Sequence, residues 1–218
     1  MIEMKNTLYS MMLSDDVVRE VDVMANRLGM TRSALVNRIL AEYVGFQTPE
    51  RRIAEILDEV EQLLQPVREL APFFVPNASS FSLKSALQYK YRPTVRYEVQ
   101  LYAGHPDALG QLSVQFRTQS AALTQVTAAF FLLWKDIENR FLDGAVTYDF
   151  SGGKLVRTLQ QPKTQVSVTA LARAISEYIQ LFDRCMKAYI CTGCTPAALM
   201  QEYAAYVRSS QQNDGILL

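Results

Sequence analysis

The chain has 218 residues, 49% hydrophobic and 20% charged, which excludes a disordered protein and is long for one small domain and short for three. Its 22 basic and 22 acidic residues balance, so bulk charge selects neither a nucleic acid nor a membrane as partner. Three cysteines are too few and odd in number for a disulfide framework, and a single histidine argues against His-based metal sites and His-dependent nucleophilic triads.

Residues 1–6 lack the basic segment and apolar run of a secretory signal. The densest apolar run, Val126 to Trp134, is under half of the roughly 20 residues that a membrane span needs. The expectation is a cytoplasmic protein with free thiols and no membrane partner. Thr7 to Leu13 is β-compatible and contains no Gly or Pro. Ser14 then caps a helix whose first turn holds Asp15 and Asp16, where the helix dipole favours carboxylates. Val17, Val18, Val21, Met24, Ala25 and Leu28 recur at spacings of three and four and form one apolar face. Gly29 ends that helix, and Thr31 caps a second at once, with Ala34, Leu35, Ile39, Leu40 and Tyr43 as its stripe and Gly45 as its stop. A strand and two short helices bury too little to stand alone, and a lone strand has two unpaired edges. A two-fold dimer with antiparallel strands and four packed helices solves both problems.

Leu13 to Asp22, followed by Met24 to Val36 with its Leu-Gly-Met-Thr-Arg-Ser turn, resembles the ribbon-helix-helix family of bacterial and phage DNA-binding proteins. The likeness is greatest to small plasmid copy-number repressors and nickel-responsive regulators, and it covers about residues 5 to 45. It implies that paired strands enter the DNA major groove, that one ribbon face reads bases, and that the second helix's N-terminus grips a phosphate. A two-stranded ribbon fits a groove about 12 Å wide, and free N–H groups at Thr31, Arg32 and Ser33 would suit an anion. Strand alternation separates Tyr9, Met11 and Leu13 from Asn6, Leu8, Ser10 and Met12, and the family register turns the second set to the groove. The resulting candidate DNA-binding residues are Lys5, Asn6, Leu8, Ser10, Met12, Thr31, Arg32 and Ser33. Leu8 and Met12 depart from the family's polar readers and offer contact only to thymine methyls or another apolar surface. Residues 1–46 also carry five bases against six acids, so a modest binder, or one acting through several adjacent copies, is expected.

Thr48 caps a further helix with Pro49 at its first position, and Ile53, Ile56, Leu57, Val60, Leu63 and Leu64 give its stripe. It is read as a connection between domains, with Pro72 to Ser82 as a loop. Beyond it, strands at Thr94–Tyr102 and Gly110–Arg117 precede a helix from Ser120 to Phe141. The order then recurs as strands Ala145–Phe150 and Lys154–Leu159 and a helix from Ser167 to Ile190. Thr195-Pro196 opens a last helix to about Arg208, before a polar tail expected to fray. The fold class is therefore mainly α with α+β. It has a ribbon-helix-helix dimerisation unit (1–46), a connecting helix and loop (47–80), and an α+β domain (81–218) for ligand sensing or oligomerisation. That domain is expected to hold a four-stranded antiparallel sheet from two strand-strand-helix units.

No catalytic constellation stands out. Cys191-Thr192-Gly193-Cys194 has only Cys185 and the distant His105 to complete a metal site, so free thiols are expected and no metal or other cofactor. His105 reads as a solvated turn residue, and the histidines of the nickel-responsive relatives are missing. Phe130, Phe131, Trp134, Tyr178 and Phe182 lie at helical spacing and read as core, with a ligand cavity among them as the alternative. Arg92, Arg96 and Arg117 gather near two adjacent strands, either as a basic face or as an ordinary solvated one. The expected function is sequence-specific DNA-binding transcriptional regulation by a homodimer or higher oligomer on double-stranded DNA, with a small-molecule or protein effector at the C-terminal domain and no enzymatic activity. The alternative is an accessory assembly protein of conjugation, partition or antitoxin type. It would dimerise through the N-terminal fold and bind protein through the C-terminal domain.

Overall fold

A computed structural model describes residues 8–73, 79–88, 92–142, 146–213 and 215–218. The chain divides into two compact units, residues 1–52 and 53–218.

The first unit holds α1 (Asp15–Leu28) and α2 (Arg32–Tyr43). Their boundaries fall where the sequence signals put them, but Ser14, the expected cap of α1, is extended and makes no side-chain capping hydrogen bond. Gly29 adopts φ +64°, a left-handed conformation costly for a residue with a Cβ, and its amide returns to the Ala25 and Asn26 carbonyls to close α1. The Thr31 hydroxyl accepts the Ala34 amide and starts α2. The strand expected over Thr7 to Leu13 is absent from the single chain: residues 8–14 have no regular structure, and Thr7 lies outside the described residues. Ladder hydrogen bonds need a second strand, and the described residues of one chain supply none here.

The second unit is larger and mixed. It contains α3 (Pro49–Leu64, whose first turn belongs to the first unit), β1 (Leu70–Pro72), β2 (Ser80–Ala86), β3 (Thr94–Leu101), β4 (Ala108–Phe116), α4 (Ala121–Glu138), β5 (Tyr148–Ser151), β6 (Lys154–Gln160), α5 (Val168–Thr192) and α6 (Pro196–Gln212). The sheet has six strands, ordered β1-β2-β3-β4-β6-β5, and every pairing is antiparallel. This corrects the expected four. The four foreseen strands form its β3-β4-β6-β5 part, with β4 and β6 joining the two strand-strand-helix units. The segment read as a loop over Pro72 to Ser82 instead ends β1 and begins β2. The sequence of β2 shows too little apolar alternation to announce a strand, and its pairing with β3 along seven residues makes it one. Ala145 lies outside the described residues.

Strand alternation sorts the sheet into two faces. Val95, Tyr97 and Val99 of β3, Leu112, Val114 and Phe116 of β4, and Leu155 and Leu159 of β6 are buried in one core with side chains of α3, α4, α5 and α6. The opposite face is mostly polar: Arg96, Glu98, Gln115 and Lys154 are half-buried, and Ser82 and Ser113 are buried. The helix read as a connection is part of this core: Ile53, Ile56, Leu57, Val60 and Leu64 are buried, whereas Leu63, counted in the same stripe, is exposed. The described part of the tail expected to fray is also structured. Helix α6 runs to Gln212, and Ile216 and Leu218 are buried in the core. Two apolar residues outweigh the polar stretch before them.

At Gly110, beside a register shift in β4, an added Cβ would lie 2.1 Å from the Gln100 carbonyl oxygen and 2.9 Å from the Leu101 Cα. Backbone atoms on a paired strand have little room to yield. Gly110→Ala is expected to destabilise the protein by about 3 kcal/mol, the upper end of overpacking costs. A urea midpoint indistinguishable from wild type would contradict this close strand approach.

Candidate nucleic-acid interface

The residues expected to read DNA are partly assembled. Lys5 and Asn6 lie outside the described residues. Leu8 and Met12 are 96% and 100% exposed, and Ser10 is exposed. Tyr9, Met11 and Leu13, expected to turn inward, are exposed as well. The two faces of the segment are therefore not distinguished within one chain.

The helices repeat this pattern. Of the predicted stripes, only Ala25 of α1 and Leu35 of α2 are buried, while Val17, Met24, Leu28, Ile39, Leu40 and Tyr43 stay exposed. Val44 and Phe46 extend the apolar surface. So many exposed large apolar side chains on a small unit point to an interaction surface rather than a finished one.

At the turn, the Thr31 hydroxyl is committed to capping, and the first amides of α2 stand free of intrahelical acceptors, as at any helix start. Arg32 does not extend into solvent alone. Its Nε and Nη2 donate to the two carboxylate oxygens of Asp22 at 2.6 and 2.5 Å, tying the start of α2 to α1. The hydrogen bond from Arg32 holds the Asp22 carboxyl below its ordinary range, and the carboxylate raises the guanidinium in turn. Arg32 is thus oriented by Asp22, whose carboxylate competes with any phosphate for the guanidinium. The sequence signal for this pair was weak, because ten residues separate its members and only the glycine turn brings them together.

The second unit contains a polar centre that sequence reading missed. Arg157 and Glu138 are fully buried, with the guanidinium Nε 2.9 Å from Glu138 Oε2. Tyr148 donates to Oε2 at 2.6 Å and Tyr203 to Oε1 at 3.3 Å. Arg157 also donates to the Leu218 carbonyl and lies 4.4 Å from the centre of the Tyr178 ring. Burial opposes charge on Arg157, but the Glu138 carboxylate more than offsets it, so the guanidinium is held charged. Burial raises the hydroxyl pKa values of Tyr148, Tyr178 and Tyr203, so all three stay protonated, and Tyr148 and Tyr203 donate to Glu138. One signal was available: Arg157 falls on the same strand face as Leu155 and Leu159, so its side chain had to turn inward and find a counter-ion. A second cluster joins Tyr97 to Asp183 at 2.8 Å, and Lys187 to Asp183 and Glu69 at 2.7 Å each. Both clusters tie helices to strands.

The other candidate residues are placed as follows. Phe130, Phe131, Trp134, Tyr178 and Phe182 are buried and packed mutually, with Trp134 Nε1 donating to the Tyr178 hydroxyl at 3.1 Å. Beside Phe131, a cleft of about 340 Å³ opens between α4 and the β5–β6 hairpin, with Phe116, Thr124, Thr127, Phe150 and Gly152 among its walls. His105 closes its turn by accepting the Asp107 and Ala108 amides on Nδ1 at 3.3 and 3.0 Å. The three cysteines are free thiols; burial pushes Cys185 up to about 12 and raises Cys191, which disfavours the nucleophilic thiolate. Among the described residues, no group of three or more His, Cys, Asp or Glu side chains could hold a metal ion, and no helix is long and apolar enough to cross a membrane. No family model, curated protein or solved structure matches the chain.

Proposed function

We propose that the chain is a sequence-specific DNA-binding transcriptional regulator that works as a homodimer or higher oligomer through its first unit. One observation carries this reading: two helices around a glycine turn leave most of their apolar stripes, and residues 8–14 before them, uncovered. A second copy related by a two-fold axis covers these surfaces in one step. The leading segments pair as an antiparallel ribbon, and the four helices share a core. The ribbon's outer face, with Asn6, Leu8, Ser10 and Met12, enters the major groove. The N-terminus of α2, with Thr31, Arg32 and Ser33, meets a phosphate on either side. The second unit serves ligand sensing or further oligomerisation and sets the spacing of dimers.

The test is binding to duplexes selected by the protein from a random library, measured across a salt series. Ser10→Ala combined with Asn6→Ala should retain the fold and salt-sensitive binding but lose sequence preference by about ten-fold or more, since a good base contact is worth about 1–3 kcal/mol. Unchanged preference would move the reading surface elsewhere, and absence of salt-sensitive binding would remove the reading altogether.

The apolar character of Leu8 and Met12, with the net charge of −1 over residues 1–46, favours a second reading. In it, the first unit dimerises and the protein is an accessory assembly component that grips another protein. Co-purification of a stoichiometric protein partner, together with no duplex binding, would select it.

A further inference from the structure

The first unit is short of positive charge for a DNA binder, and the sheet of the second unit carries an unpaired excess. Lys84 of β2 stands directly opposite Arg96 of β3, Arg96 opposite Gln115 of β4, and Gln115 opposite Lys154 of β6. Strand alternation places these four residues on the face turned away from the helices, since Leu83, Val95, Tyr97, Val114, Phe116 and Leu155 beside them are in the core. They form one row across four strands, about 14 Å from end to end at the usual strand spacing. Arg92, just before β3, and Arg117, just after β4, are exposed at the same end of the sheet.

Like charges directly opposite on neighbouring strands are destabilising, so a Lys–Arg pair in register needs a compensating contact. Within the chain the compensation is partial. Lys84 Nζ lies 3.4 Å from the centre of the Phe73 ring and Arg96 Cζ lies 5.6 Å from it, so both cations share one ring. Arg96 Nη2 donates to the Ser82 hydroxyl at 3.4 Å, while its Nε has no partner. Among the described residues none of Lys84, Arg92, Arg96, Arg117 and Lys154 forms an ion pair. The carboxylates nearest in register, Glu98 and Asp149, lie on this face in the adjacent row. The end of the sheet is therefore a cationic surface: three basic residues and one amide in the row, and two arginines at its margin.

We infer that this row binds the phosphate backbone of double-stranded DNA without regard to sequence, adding the ionic contacts that the first unit lacks. The inference rests on the reading of the chain as a duplex binder, and charge complementarity selects the occupant. Phosphate contacts supply most non-specific affinity, and each contributes about −0.9 to the slope of log K against log salt concentration.

The test measures full-length protein on a short random-sequence duplex by fluorescence anisotropy, between about 50 and 200 mM salt. The triple variant Lys84→Gln, Arg96→Gln, Lys154→Gln should flatten the slope by about 2.7 and weaken binding on the order of a hundred-fold at about 0.1 M salt. Because Arg96 is half-buried, the double variant Arg117→Gln, Lys154→Gln provides a check on protein whose melting is unchanged, with a slope change of about 1.8. A duplex-binding wild type whose slope survives both sets of changes overturns the inference. So does a wild type that fails to bind random duplex at about 50 mM salt, or one that binds phosphatidylserine vesicles more tightly than duplex. Failure of the first unit's reading looks different: wild type binds selected and random duplexes equally, while the row variants still lose slope.

Discussion

If the proposed ribbon dimer forms, Met11→Asp is expected to convert it to a monomer in sedimentation velocity and to abolish sequence-specific duplex binding. In the proposed ribbon Met11 would turn into the shared core with Tyr9 and Leu13, and in the single chain it is exposed. Full burial of such a side chain stabilises by about 1.5–3 kcal/mol. A two-fold axis counts each substitution twice, so association weakens by at least about 3–6 kcal/mol, or roughly a hundred- to ten-thousand-fold in Kd. The buried carboxylates make this a lower bound. Leu8→Asp is the contrasting variant. In the proposed ribbon it lies on the outward face, so the dimer should persist while a carboxylate enters the groove and duplex binding falls. If Leu8→Asp yields monomers and Met11→Asp leaves dimers, the faces are exchanged. A monomeric wild type at micromolar concentration removes the ribbon and, with it, the regulator reading.

Glu138→Ala should be the most damaging single substitution in the second unit. It leaves the Arg157 guanidinium fully buried without its carboxylate and removes the acceptor of the Tyr148 and Tyr203 hydroxyls. Breaking a buried ion pair from one side costs about 3–5 kcal/mol, which lowers Tm on the order of 10 °C for a chain of this size. Trp134, the only tryptophan, lies in the same core and donates to Tyr178, which Arg157 faces, so its near-ultraviolet signal reports the local loss. Glu138→Leu combined with Arg157→Met should recover at least half of the lost stability, because the main penalty is the unpaired charge rather than the missing pair. If Glu138→Ala melts within about 2 °C of wild type, Arg157 reaches water by rearrangement and the buried centre is not what joins α4 to β6.

Different parts of the fold were legible to different degrees. Local signals located the helices well: Thr31, Thr48, Ser120, Ser167 and Thr195 sit at helix starts, and Gly29 ends α1 in the left-handed conformation. A cap is a contact over three residues, so the sequence window contains all of it. The β3, β4 and β6 strands announced themselves by alternation, because one face is core and the other is not. β2 did not, because Ser80, Ser82 and Ser85 are buried polar residues that hide the period. Phe73 offered no hint that its ring collects Lys84 and Arg96, nor did the arginines near 92–117 reveal that Lys84 and Lys154 complete their row.

What the amino-acid sequence determined unaided is the set of contacts closed within a few residues: capped helices, the glycine turn, alternating strands, and an apolar excess in residues 8–46 beyond what that unit can bury. Which strands became neighbours, which charges met and where the tail docked were decided by tertiary structure. Asp22 with Arg32, Glu138 with Arg157 and Lys84 with Arg96 are separated by ten or more residues, and no short-range rule prefers one distant partner to another. Their energies appear only when the chain has closed the intervening loops and withdrawn the groups from water.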